Sequence, residues 1–112
     1  MAGYFQAFEL DDLESKQAAA GGPYYEFLRR RAVSVGLYTL RTGEQDKQRP
    51  HASDEVYFVL RGQATLRVGD QSHGVRAGSV VSVEHGEDHH FTDITEDLHV
   101  LVVFAPPEEP EE

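Results

Sequence analysis

An all-β domain, folded as a sandwich or a barrel, is what this chain predicts, and three observations carry the prediction. Six short segments rich in Val, Leu, Thr, Tyr and Phe recur along its 112 residues, which is the composition of β-strands. Gly, Pro and Asp punctuate them at Gly43, Pro50, Gly62, Gly69-Asp70, Gly78 and Gly86, the residues that close strands and form turns. Only one stretch reads as a helix. Many short strands at regular spacing are the signature of an antiparallel sandwich or barrel.

The elements follow in order. Asp11–Ala20 is the helix: Asp11 can cap it, Glu14 stands at the capping-box position, and Gly21-Gly22-Pro23 ends it. The strands are Ser34–Leu40, Glu55–Leu60, Ala64–Val68, Ser79–Val83, His89–Ile94 and Leu98–Phe104. Gly69-Asp70, between Val68 and Gln71, is a two-residue hairpin signal of the primed-turn type. Residues 1–30 are read as an N-terminal helix and arm, 31–105 as the barrel, and 106–112 as a disordered acidic tail with four glutamates in its last five residues. Two strands, Val56–Leu60 and Val100–Phe104, are apolar at every position. A sheet with one wet face alternates, so both faces of these strands should be covered, one by the interior and the other by the N-terminal segment or a second subunit. A homodimer is the expectation.

Composition narrows the function. No cysteine is present, which removes disulfides and thiolate metal sites. A net charge of −10 disfavours nucleic acid and anionic membranes as partners. No apolar run is long enough for a transmembrane helix, and the acidic start MAGYFQAFELDD does not resemble a secretory signal. A cytoplasmic location is therefore expected. No nucleophile–base arrangement and no Gly-rich phosphate loop is recognisable.

The chemistry concentrates in RPHASDEVYFVLRG, residues 49–62. His51 and Glu55 are four residues apart, and even spacing in an extended chain puts side chains on one face. GEDHHF supplies His89 further on. Two imidazoles and a carboxylate converging on one point make a metal-ligand set. Tyr57 and Val59 share the parity of Glu55, and Phe91 that of His89, so Tyr57 and Phe91 should line the same cavity. An aromatic wall suits a small, partly apolar or planar ligand.

These residues resemble the two motifs of the cupin family. Gly43, five residues, Arg49-Pro50-His51, three residues, Glu55, six residues and Gly62 follow the register of the first; Gly78, five residues, Glu84-His85-Gly86, two residues, His89, three residues and Asp93 follow that of the second. Arg49 stands where the family has its leading His, Glu84 where it has Pro, and Asp93 where it has Asn. The resemblance implies a double-stranded β-helix, the cupin jelly-roll barrel, with a metal inside near one mouth. His51, Glu55 and His89 match three of the four usual ligand positions. Two histidines and a glutamate are the set of open non-haem iron sites and of catalytic zinc; Fe, Zn, Mn or Ni would serve.

Arg49 cannot be a ligand, because its guanidinium is protonated and has no free lone pair. It either pairs with a substrate carboxylate or phosphate beside the metal, or turns outward and leaves Gln48 to reach in. Glu55 has alternatives too: a partner for Arg49 or Arg61, or an acceptor for His51. His99 is a fourth ligand, a polar group of the substrate pocket, or a surface residue; strand parity leaves the choice open. His90 should face away from His89, His73 should be in solvent, and His85 lies in the motif-two loop. Three functions are compatible. The first is a metal-dependent enzyme acting on a small organic molecule, an oxygenase or isomerase by family analogy. The second is a cupin pocket that binds a small ligand without turnover, as a sensor or storage module. The third is a metal-free enzyme with Arg49, Glu55 and a histidine as acid–base groups.

Overall fold

The computed structural model describes residues 5–47 and 52–107. The leading motif residues Gln48, Arg49 and His51 lie outside the described residues, as does the acidic tail from residue 108. One helix, α1 (Leu10–Ala20), precedes six strands: β1 (Tyr24–Arg29), β2 (Ser34–Leu40), β3 (Asp54–Val68), β4 (Gln71–Arg76), β5 (Val80–Val83) and β6 (His89–Ala105). All pair antiparallel, in the order β1-β2-β6-β3-β4, with β5 pairing the first half of β3 and β4 the second. The expected all-β fold is the observed one.

Four expectations need correction. First, the helix starts at Leu10, one residue early, and its N-cap is Glu9 without a side-chain capping bond; Asp11 and Asp12 fall in the first turn instead. There their charges face the positive end of the helix dipole. The C-terminus is as read, with Gly21 left-handed at φ 85° and its N–H on the Gln17 carbonyl. Second, Tyr24–Arg29 is not an arm but the edge strand of the sheet, paired with β2. Third, Gln71–Arg76 is a strand. Its residues are mostly polar and exposed, with Val75 alone buried, so it lacks the apolar alternation by which strands are recognised. The turn before it is the expected one, with Val68 paired to Gln71 across Gly69-Asp70.

The fourth correction positions the site. The segments read as four strands are two long ones, β3 and β6, each bending midway. Asp54–Val59 of β3 pairs with Val100–Ala105, and Thr65–Val68 with His89–Thr92, the register slipping between Val59 and Thr65. Such irregularities increase strand bending. The two halves fold over one core in which Tyr57, Val59, Leu66, Phe91, Ile94, Leu98, Val100 and Val102 pack together. Glu55 enters this core from the first half of β3 and His89 from the first residue of β6.

Alternation resolves the two all-apolar strands. Tyr57, Val59, Val100, Val102 and Phe104 point into the core. Val56, Phe58, Leu101 and Val103 take the outer face, in register as Val56–Val103 and Phe58–Leu101. Helix α1 covers part of that face over β2, where the buried Gln17 side chain donates to the carbonyls of Leu37 and Pro23. Beyond it, Val56 is 39% exposed, Phe58 40% and Val80 67%.

Candidate metal and substrate site

Glu55, Tyr57 and His89 meet at the centre of the barrel. Glu55 and Tyr57 share a face of β3 because they are two residues apart in a strand. His89 comes across from β6. Glu55 and His89 are each 1% exposed and Tyr57 is fully buried. The Tyr57 hydroxyl donates to Glu55 Oε1 at 2.7 Å and lies 2.9 Å from His89 Nε2, while His89 Nε2 is 3.2 Å from Glu55 Oε2. On its other side His89 Nδ1 donates to the Glu87 carbonyl at 2.8 Å. That bond fixes the ring so that Nε2 points at the carboxylate, as an outer partner fixes a metal-ligating imidazole.

Two effects compete at His89. Burial lowers its pKa; the hydrogen bonds it donates to Glu55 and the Glu87 carbonyl, with the nearby charges of Glu55 and Asp46, outweigh burial and carry it above the ordinary histidine value. Tyr57 donates to Glu55, so acceptor oxygens face both ring nitrogens of His89. The site is a buried carboxylate–imidazole contact bridged by a phenol. A divalent cation could take the place of the proton on His89 Nε2, and the donor set suits it: one imidazole nitrogen and carboxylate oxygens.

Of the other expected site residues, Phe91 joins the cluster. It is 1% exposed and its ring stands edge-on to Tyr57, centroids 5.1 Å apart. His99 does not. It alternates with the buried Leu98 and Val100 and pairs with Thr39 and Arg61, on the outer face of the sheet. Arg61 there forms an ion pair with Glu14 of the helix. Partial burial, then the Arg61 charge, lower the His99 pKa. Among the described residues no group of three or more His, Cys, Asp or Glu comes together as a metal cluster; Glu55 and His89 are the described members of the expected set.

His85 is exposed and paired with Asp54 through its ring and its backbone N–H. The side-chain bond to Asp54 raises the His85 pKa, and the same bond lowers that of Asp54. Asp54, the residue that a one-step register slip would bring inward, therefore faces outward. An open groove of about 610 Å³ lies elsewhere, along β3 and β4 between Gln63, His73, Arg76 and Asp93; Glu55, Tyr57 and His89 do not line it. Its titratable residues are all exposed.

One residue of the site region escaped the sequence reading. Asp46 is 8% exposed; its Oδ1 accepts from the Tyr38 hydroxyl and its Oδ2 from the Phe91 N–H, both at 2.8 Å. It ties the loop after β2 to the start of β6, two residues past His89. A polar residue in a polar loop carries no periodic signal, and its partners are 8 and 45 residues away.

The site lies in a barrel whose sequence is recognisable. Residues 36–104 match the cupin domain family, and the chain belongs to that family. It is 55% identical over 103 residues to an uncharacterized Streptomyces coelicolor protein, covering 92% of this chain and 98% of that one. Among solved structures it is similar to a Bacillus halodurans protein, with TM-score 0.76 and 17% identity over 95% of this chain and 86% of that one. A cupin family protein with a double-stranded β-helix fold from Methanocaldococcus jannaschii gives TM-score 0.71 and 22% identity over 95% and 93%. The double-stranded β-helix fold follows; identities this low carry the fold alone.

Proposed function

We propose that this cupin binds one divalent metal ion through His51, Glu55 and His89 and acts on a small organic molecule by oxygenation or isomerisation. One observation carries the reading: Glu55 and His89, from different strands, meet in the core with Nε2 of an oriented imidazole aimed at the carboxylate. The metal, when bound, would polarise a substrate oxygen as a Lewis acid. Glu55 and His89 hold their donor atoms in place, Tyr57 and Phe91 exclude water, and Arg49 offers a partner for an anionic substrate group. Elemental analysis of protein purified without chelator or metal-affinity tag should give close to one metal per chain. Glu55→Gln and His89→Ala should each reduce it well below that. Wild-type protein that stays metal-free after reconstitution with iron, zinc, manganese and nickel would sink the reading.

The self-satisfied Glu55–Tyr57–His89 network favours a second reading, a metal-free pocket. It binds a small ligand as a sensor or storage module, or uses Arg49, Glu55 and a histidine as acid–base groups. Ligand stabilisation or turnover that survives chelation would support it over the first.

We also infer a homodimer. Val56, Phe58, Val80, Leu101 and Val103 form an uncharged outer patch on a chain of net charge −10. An exposed apolar patch is the usual mark of an interface, and a second copy meeting it there keeps its carboxylates away from those of the first. Light scattering at tens of micromolar should give twice the chain mass, and Phe58→Arg should return it to one. A wild-type monomer would overturn the inference.

A further inference from the structure

A second place on the molecule has the make-up of a binding site, and the Glu55–Tyr57–His89 network takes no part in it. The groove of about 610 Å³ along β3 and β4 falls within the roughly 300–1,000 Å³ typical of small-molecule sites. Three paired strands build it. Gln63 and Thr65 of β3 stand opposite Arg76 and Gly74 of β4 on one side, and opposite Glu96 and Thr92 of β6 on the other. Gly74 contributes no side chain, and a Cβ placed there would meet nothing within 4 Å, so β4 leaves space opposite Thr65.

Two opposite charges line this space, Arg76 at the end of β4 and Asp93 in β6. Among the described residues the Arg76 guanidinium and the Asp93 carboxylate form no ion pair, with each other or with another group. Backbone geometry holds both. The Arg76 N–H donates to the Ser79 hydroxyl at 3.0 Å, and the Ser79 N–H to the Arg76 carbonyl at 2.9 Å. Asp93, at φ 48°, is the only non-glycine residue with positive φ among the described residues. It opens a bulge: between the Thr65–Thr92 and Gln63–Glu96 pairs, β3 has only Ala64 where β6 has Asp93, Ile94 and Thr95. A bulge re-aims a side chain, and residues held at such backbone cost gather where a ligand is met.

The charges select the ligand. Arg76 repels a cation and Asp93 an anion, and the net charge of −10 adds to the second effect. A molecule carrying both charges suits both residues: the guanidinium grips a carboxylate with two parallel bonds, and the Asp93 carboxylate accepts from an ammonium. Arg76 and Asp93 stand on strands two spacings apart, about 10 Å. The long arginine side chain covers much of that gap and leaves roughly 3–7 Å, the length of one or two residues. We propose that the groove is a second binding site, taking a small zwitterion of amino-acid or dipeptide size with its carboxylate on Arg76 and its ammonium on Asp93. The Ser79 hydroxyl, oriented by the Arg76 N–H, can donate its proton to the same ligand carboxylate. No metal and no residue of the core site is involved, so the inference is independent of the function proposed above.

The test is an amide-resolved NMR titration of the full chain with glycine and with glycylglycine. At least one should bind at about 1 mM or tighter, with saturable shifts centred on Thr65, Gly74 and Ser79. N-acetylglycine lacks the ammonium and glycinamide the carboxylate, and each should bind about tenfold more weakly. Arg76→Gln and Asp93→Asn should each lose a similar factor; Asn tolerates the left-handed backbone of Asp93. Arg67→Gln, an exposed position of β3 outside the groove, should bind as wild type does. The absence of a saturable shift from either zwitterion overturns the proposal. Equal binding of a blocked analogue or of glycerol overturns it too, as do shifts centred on Glu55, Tyr57 and His89 instead. Should a variant fail to fold, the blocked analogues on the wild-type chain decide.

Discussion

Gly62→Ala will destabilise the protein by about 3 kcal/mol, the sum of left-handed backbone strain and core overpacking. Gly62 has φ 101°, where an L side chain is strained. A Cβ there would lie 2.2 Å from the Asp97 carbonyl oxygen and 2.8 Å from Leu98 Cα. Those are backbone atoms of β6, at the point where β3 and β6 bend together, and neither strand can move away without breaking pairing on both sides. Urea denaturation should show the loss as a lower midpoint at unchanged slope. Gly74→Ala on β4 is the control. Nothing lies within 4 Å of its Cβ position, and its stability should stay within about 0.5 kcal/mol of wild type. A Gly62→Ala protein as stable as that control would show that the close approach of the two strands is not rigid.

Asp46→Ala should also cost about 3 kcal/mol, because hydrogen bonds to a charged acceptor contribute about 1.5–3 kcal/mol each and a buried donor is left behind. The variant strands the Phe91 N–H inside the protein and releases the Tyr38 hydroxyl. Asp46→Asn keeps one good acceptor and should lose roughly half as much. Chemical denaturation of the two variants checks the order; equal losses for both would mean that packing of the loop, rather than the paired acceptor oxygens, carries the effect.

These two positions mark the limits of reading the chain linearly. Gly62 was visible as a glycine at a motif boundary and was read as closing a strand. It lies inside β3, and only the contact with Asp97 shows why a side chain is excluded. Asp46 was invisible, since its role exists only when the loop meets β2 and β6. Tyr57 shares a face of β3 with Glu55, as their spacing predicts, but its bond to His89 depends on where β6 begins. His99 shows the reverse case. Its strand is apolar on both of its faces, so parity could not say which one turns inward, and the outward orientation of His99 came from the burial of Leu98 and Val100.

What the sequence determined by itself is local and periodic. Alternation and turn residues specified an all-β chain, the Gly69-Asp70 hairpin, and the helix that stops at Gly21. Motif register brought Glu55 and His89 forward as a pair, because the family spacing encodes a convergence that no single strand can express. The tertiary structure alone decided which apolar faces turn inward, that four apparent strands are two bent ones, and that a phenol bridges the carboxylate and the imidazole. The physical reason is distance along the chain. Strand and turn propensities act over a few residues, whereas the bend of β3 over β6 joins residues more than thirty apart, and only packing around one shared core selects that arrangement.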